Sequence, residues 1–174
     1  MKTSLFRKKK LLLSSFNMYK GGSLTIYKSI ENLIEENIDI IDITFLEKNN
    51  LTANSSITKI IYPIKYLNFL YRFFIEQILL LIIGCFYRVN KIVLMGNFST
   101  LLWFGKQTVF FHNLLYLEAL INPTKYGIKL AIEARIWRLF LRINKPTICV
   151  QTKYIKLRLE EYFGKIFKIK IIGI

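Results

Sequence analysis

The sequence is poor in the residues from which metal sites and covalent catalytic centres are built. It contains a single histidine, His112, and two cysteines. Cys85 and Cys149 lie inside apolar runs far apart in the chain, which predicts buried free thiols rather than a disulfide or a metal site. The sequence also shows no zinc-ligand spacing, no Walker loop and no serine triad. We therefore expect neither a metal ion nor another cofactor.

Acidic residues are scarce as well. The chain carries 26 Lys or Arg against 11 Asp or Glu, a formal net charge of +15. Residues 125–170 hold twelve of the basic residues and three Glu, whereas the acids cluster between residues 31 and 47. Such a charge needs an anionic partner, either nucleic acid or a membrane surface. No groove-reading module is visible and most aromatic residues sit in apolar runs that a core would bury, so we do not expect nucleic acid.

A long apolar run without charges is also missing. The segment Leu67–Phe86 has about the length of a membrane span, but it contains Arg72 and Glu76. A charge at the bilayer centre costs about 2.5–3.5 kcal/mol, and on a helix these two residues would share a face and could pair. We therefore expect a helix that packs on a sheet or lies in the membrane interface, in preference to a spanning helix.

Short apolar runs, by contrast, alternate with helical patterns along the chain. The runs lack polar alternation and are rich in β-branched and aromatic residues, which is typical of strands buried on both faces of a parallel sheet. This alternation predicts one α/β domain over residues 1–174, with a mostly parallel sheet of about six to seven strands flanked by helices. The predicted strands are Lys10–Ser15, Ile38–Leu46, Lys59–Ile64, Lys91–Met95, Thr108–Phe111, Thr147–Val150 and Phe167–Ile172.

One of the predicted helices combines an apolar stripe with a row of arginines. After Pro123, helical spacing relates Ile128, Ile132, Ile136, Leu139, Phe140 and Ile143. Arg135, Arg138 and Arg142 lie within about 60° of one another along one edge of that stripe. They could contact lipid phosphates or an anionic acceptor, and a solvated helix face is the alternative interpretation.

Polar residues follow two of the predicted strands where those strands end. Gly96 and Asn97 follow the fourth strand, and His112 and Asn113 follow the fifth. In open α/β sheets ligands bind beyond the carboxyl ends of the strands. A histidine there, beside Asn113 and Tyr116, can act as a base or donate a hydrogen bond to a hydroxylated ligand, although a strand-end histidine can also serve structure alone.

A glycine pair follows the first predicted strand. Gly21 and Gly22 precede Ser23, which is placed to cap a predicted helix that begins after it. Glycines at this point could bring backbone amides close to a phosphate or a sugar at the helix N-terminus. A tight turn between strand and helix is the alternative interpretation.

The order of these motifs resembles a known family. A strand, the Gly21-Gly22 loop and a helix, then GNF at residues 96–98, FHN at 111–113 and VQT at 150–152 before a basic helix resemble the N-terminal domain of GT-B glycosyltransferases of the group 1, family 4 type. The resemblance implies a Rossmann-like, acceptor-binding domain in which Gly21, Gly22, His112 and Asn113 face the interdomain cleft. On this basis we assign His112 as catalytic and the following residues as acceptor-binding: Gly21, Gly22, Asn97, Asn113 and Tyr116.

The resemblance also implies partners and a location. Proteins of that family add a second domain that binds the nucleotide sugar, and residues 1–174 contain no candidate for its donor motif. We therefore expect the acceptor-binding half of a sugar-nucleotide-dependent glycosyltransferase for bacterial surface polysaccharide, truncated and inactive unless a separate donor-domain polypeptide joins it. Its partners would be a sugar acceptor, of which lipid-linked sugars are one class, and the inner face of the cell membrane, where it would be a peripheral cytoplasmic protein. The alternative is a non-catalytic basic protein whose helix at 67–86 inserts in the membrane.

Overall fold

The computed structural model describes residues 9–15, 38–44, 57–61, 69–96 and 98–172. Within them one sheet runs in the order β3-β2-β1-β4-β5-β6-β7, and every neighbouring pair of strands is parallel. This confirms the predicted α/β, Rossmann-like architecture. The strands are β1 (Lys9–Ser14), β2 (Ile38–Thr44), β3 (Ile57–Ile61), β4 (Lys91–Leu94), β5 (Lys106–Phe111), β6 (Thr147–Val150) and β7 (Ile169–Ile171).

The helices follow β3, β5 and β6. They are α1 (Phe69–Phe86), α2 (Leu115–Ile121), α3 (Pro123–Tyr126), α4 (Ile128–Asn144) and α5 (Lys153–Phe163), and a 3-10 turn at Gly164–Ile166 leads towards β7. The sequence did not indicate α2 and α3, because each is too short for a helical period to be recognised. The helix predicted after Ser23 lies outside the described residues.

The described helices that bury side chains do so on one face of the sheet, here called the first face. From β3 to β7 each new strand is added in the same direction, so right-handed crossovers carry every connection to the same side. Leu80 of α1 packs with Ile92 and Val109, while Trp137 of α4 packs with Phe111 and residues of β6. The opposite side, which bears Val93, Thr108 and Cys149, is called the second face.

Helix α4 packs through only part of the predicted apolar stripe. Ile128 is 81% exposed, and Ile132, Leu139 and Ile143 are also exposed, whereas Phe140 is buried and Ile136 is half-buried against the core. The sequence pattern was dominated by large aliphatic residues. The small side chains of Ala131 and Ala134 instead allow the helix to approach the sheet, so that Trp137 stacks on Phe111 with ring centroids 5.2 Å apart. The side chains that α4 buries are Ala131, Ala134, Trp137, Phe140 and Leu141.

Helix α1 packs on the first face through Gln77, Leu80 and Ile83. No helix in the part of the chain that the structure describes is both long enough and apolar enough to cross a membrane. Cys85 lies on the outward side of α1 and is exposed, so the prediction that both thiols are buried is correct only for Cys149.

The loop between β4 and β5 is held by two buried glutamines rather than by a helical turn. The Gln107 side chain accepts a hydrogen bond from the Thr100 amide at 3.0 Å and donates to the Thr100 carbonyl oxygen at 2.8 Å. Gln77 of α1 accepts from the Leu101 amide at 2.9 Å. These bonds satisfy buried loop backbone and place Trp103 against Gly84 of α1.

We predict that Gly84→Ala lowers the free energy of unfolding by about 1–3 kcal/mol, because overpacking outweighs the gain in helix propensity. A Cβ at this position would lie 2.0 Å from Cζ3 of the Trp103 ring. Denaturant unfolding measures the change, and the exposed neighbour Cys85→Ala should alter stability by less than about 0.5 kcal/mol. Equal stabilities of the two variants would contradict the packing of Trp103 on Gly84.

Candidate functional site

The carboxyl edge of the sheet has its switch point between β1 and β4. These strands are neighbours, yet the chain continues from β1 towards β2 and from β4 towards β5, in opposite directions along the sheet. Connections that diverge in this way leave a crevice at the strand ends, where ligands bind in open α/β sheets. Ser14 and Ser15 close β1 there, each 1% exposed, and the Met95 amide after β4 donates to the Ser14 carbonyl oxygen at 3.0 Å.

A carboxylate reaches this switch point from α1. The Ser14 hydroxyl donates to Oε1 of Glu76 at 2.5 Å, and Glu76 is half-buried. A hydrogen bond to a charged acceptor is stronger than one between neutral groups, so it fixes the carboxylate at the end of β1. A carboxylate at this place can accept hydrogen bonds from the hydroxyl groups of a ligand.

Sequence reasoning missed this pair. It treated Glu76 as a partner for Arg72, whose side chain lies outside the described residues, and Ser14 only as the end of a strand. The usable signal was a lone acid in an otherwise apolar helix together with serines directly after a predicted strand. These two residues are 62 positions apart, so only the three-dimensional structure shows that they form a pair.

His112 lies at the same edge, directly after β5. Two strand spacings, about 10 Å, separate β5 from β1. Partial burial lowers the pKa of His112 below its ordinary value of 6.5. The imidazole is therefore neutral at pH 7, with one nitrogen that accepts and one that donates, so it can receive a proton from a hydroxyl group.

Asn113 and Tyr116 contact the chain around His112. Asn113 is exposed, and its side-chain oxygen accepts from the Leu115 amide at 2.8 Å, which stabilises the start of α2. The Tyr116 ring packs edge-on against Phe98 at 5.2 Å and stacks near Trp137 at 6.0 Å. Both side chains thus have a structural contribution at the positions that the sequence assigned to acceptor binding.

The VQT motif ends β6 with a helix cap. The Thr152 hydroxyl accepts a hydrogen bond from the Ile155 amide at 3.2 Å, at the start of α5. From α5, Arg158 contacts Glu118 of α2 at 3.1 Å. This ion pair joins α5 to the helix that follows His112.

Of the remaining predicted residues, only the three arginines fall in the part of the chain that the structure describes. Gly21, Gly22 and Asn97 lie outside the described residues. Arg135 and Arg142 are exposed on the outer side of α4, whereas half-buried Arg138 donates to the Tyr162 hydroxyl of α5 at 3.3 Å. One of the three arginines that the helical pattern grouped thus contacts α5, while the other two are exposed.

Two cavities that described residues line lie away from the carboxyl edge. One of about 320 Å³ lies between the end of α1 and the Trp103 loop, and one of about 650 Å³ lies over the second face near the amino ends of β4–β7. In the described part of the chain no three His, Cys, Asp or Glu side chains are grouped so as to hold a metal ion.

Comparison with known proteins supports the fold. No protein-family model matches the chain, and no curated protein sequence matches it. Among solved structures, the chain is similar to a UGT transferase from Siraitia grosvenorii in complex with UDP, with a TM-score of 0.62 and 11% sequence identity. The match covers 95% of this chain and 51% of the other, so the chain spans about half the length of that protein. The sheet and helices thus share the fold of about half of that protein.

We predict that the folded protein titrates the His112 imidazole with a midpoint below pH 6.5. Because the chain has one histidine, a single Hε1 resonance reports it in a proton NMR titration. The resonance of the urea-unfolded chain should titrate near 6.5. A folded midpoint at or above 6.5 would contradict the assignment of a neutral imidazole at pH 7.

The same shift gives a second measurement. The unfolded chain takes up the His112 proton at a higher pH than the folded chain, so this residue lowers the free energy of unfolding as pH falls below about 6.5. His112→Gln should remove that part of the pH dependence of the free energy of unfolding. Above pH 7 the variant should differ from the original protein only through the lost packing of the side chain.

Proposed function

We propose that this chain is the acceptor-binding half of a sugar-nucleotide-dependent glycosyltransferase. The observation that carries the proposal is the carboxyl edge of a parallel, glycosyltransferase-like sheet, where Glu76 held by Ser14 and the neutral His112 lie two strands apart. A hydroxylated acceptor would lie across this edge, and the nucleotide sugar would be held by a second domain or polypeptide. By the resemblance of its motifs to those of family 4 enzymes, this transfer would serve the synthesis of bacterial surface polysaccharide.

The residues present suit the acceptor side of the transfer. Transfer joins an acceptor hydroxyl oxygen to the anomeric carbon, the nucleoside diphosphate leaves, and the hydroxyl proton must be accepted by a base. A neutral imidazole can accept that proton, whereas an imidazolium cannot. In this proposal Glu76 and Asn113 orient the sugar by hydrogen bonds, and His112 receives the proton.

The outer surface of the helix layer supports the proposal that the protein acts at a membrane surface. On α1, Phe74, Ile78, Ile82 and Phe86 recur every four residues and are all exposed. The loop after β4 connects this surface to α4, because Leu101 bonds to Gln77 of α1 and Ser99 to Asn144 of α4. Exposed aliphatic residues beside arginines suit the interface of an anionic bilayer. A lipid-linked acceptor would be held in that same interface.

We expect His112→Ala to lower turnover about 100-fold or more in a chimera that joins this chain to a complete donor domain, because general-base catalysis contributes at least that factor. Turnover of a nucleotide sugar with a lipid-linked sugar acceptor is the measurement. The matched control is Lys165→Ala, an exposed residue remote from the carboxyl edge. Unchanged turnover in His112→Ala would leave this residue with a structural contribution alone.

Binding to vesicles tests the membrane part of the proposal. Arg135→Glu with Arg142→Glu should weaken binding to phosphatidylglycerol vesicles at least about tenfold, since each basic residue near an anionic surface contributes about 1 kcal/mol. Lys153→Glu with Lys165→Glu changes the net charge equally at exposed positions on and after α5. Equal losses in both variants would show attraction by total charge rather than by the α4 surface.

The second candidate function is a non-catalytic, basic membrane-associated protein. The exposed row on α1 favours it, since Ile78 and Ile82 could enter the bilayer interface without any acceptor. Retention on membranes through an alkaline carbonate wash, with no binding of lipid-linked sugars, would favour this candidate. Release by the wash together with acceptor binding would favour the glycosyltransferase.

A further inference from the structure

The second face of the sheet has a region over β4–β7 that described helices leave open. Four side chains from the four strands line a cavity of about 650 Å³ there: Val93, Thr108, Cys149 and Lys170. Val93 and Thr108 are only half-buried. On the same face, but towards the carboxyl ends, Leu13 and Phe110 are 1% exposed. The open region is therefore confined to the amino-terminal half of these strands.

Strand order explains why this region stays open. The connections between β3 and β7 all cross on the first face, where α1, α2, α4 and α5 bury their apolar side chains. None of these crossovers can therefore cover the second face over β4–β7. Parallel sheets are normally covered by helices on both faces. An element that covers this part of the second face must therefore belong to something other than these crossovers.

The rim of the open region is basic. Lys91, Lys106, Lys145, Lys168 and Lys170 all line the cavity and are all exposed. No Asp or Glu is among the described residues that line it. The positive charges of the rim also act on the side chains of the floor. Burial raises the pKa of the Cys149 thiol, and the charges of Lys170 and Lys91 lower it again in part. The floor is thus partly apolar and the rim is uniformly positive.

We propose that this region is the docking site of an amphipathic α-helix from a partner polypeptide, with an apolar stripe for the sheet and acidic residues on both flanks for the lysine rim. Four strands span three spacings, about 14 Å, which matches the 10–12 Å diameter of one helix with its side chains. The acidic flanks neutralise the five lysines, and the stripe covers the half-buried Val93 and Thr108.

The floor argues against a flexible polyanion as the occupant. A nucleic acid or polyphosphate strand would pair with lysines but would leave apolar sheet surface in contact with water. A helix satisfies both parts of the site. The inference does not depend on sugar transfer. The docking region lies near the amino ends of the strands, whereas His112 lies at their carboxyl ends.

The test is equilibrium binding of a fluorescent helical peptide of about 18 residues, ~27 Å long, that carries a leucine stripe with glutamate flanks. The same peptide with lysine flanks is the peptide control. We expect the acidic peptide to bind the full chain at low salt and the basic peptide to bind at least about tenfold more weakly.

Charge reversal then locates the site. Lys91, Lys106, Lys168 and Lys170 changed together to Glu should weaken the acidic peptide at least about tenfold and favour the basic peptide instead. Lys125, Lys129, Lys153 and Lys165 changed to Glu give the same net charge at exposed positions away from the cavity and should leave the preference for the acidic peptide. If the first variant does not fold by circular dichroism, the milder pair Lys106→Gln and Lys170→Gln replaces it, with a smaller loss in the same direction.

Three outcomes would overturn the proposal. They are equal binding of the two peptides, equal losses in both reversal variants, and binding of polyphosphate, RNA or phosphatidylglycerol vesicles that depends on the cavity lysines while the acidic peptide does not bind. Failure of peptide docking together with intact acceptor binding would leave the proposed glycosyltransferase function standing.

Discussion

The handedness of the strand connections is the constraint on which the rest of this structure depends. Because β4 to β7 are added in one direction and the crossovers are right-handed, the helices between them share one face of the sheet. That face contains the two hydrophobic clusters and is closed by Trp137, Trp103 and the side chains around them. The opposite face over the same strands is left half-covered, with a basic rim. One topological rule therefore accounts both for the core and for the open surface.

The same strand order creates the candidate site. Only where β1 and β4 lie side by side do successive connections depart in opposite directions, and there the buried Ser14 binds a carboxylate that α1 carries across the sheet. The position of Glu76 follows from the packing of α1, since Gln77, its neighbour, holds the loop between β4 and β5. Stability and site chemistry thus depend on the same turn of one helix.

Sequence patterns predict most of the fold but little of the site. Short unalternating runs such as Thr147–Val150 identify strands because a buried parallel strand needs apolar residues on both faces. In α4 the periodic pattern identifies isoleucines and leucines that are mostly exposed, whereas packing on the sheet uses mainly Ala131, Ala134 and Trp137. The Ser14–Glu76 pair could not be predicted, since no local pattern relates residues 62 positions apart. The role of His112 stays a prediction; its place directly after β5 could be predicted because position after a strand is a local feature.

The distribution of charge bears on what the carboxyl edge can bind. The side chains described there, Ser14, Glu76, His112 and Asn113, are neutral or acidic at pH 7, because burial keeps the imidazole uncharged. The excess of lysine and arginine instead appears on the outer side of α4 and around the second face. An anionic group would find no cation among those four residues, whereas the hydroxyl groups of a sugar would find both acceptors and donors. The net charge of +15 is therefore better explained by surfaces that meet other macromolecules than by the ligand at the strand ends.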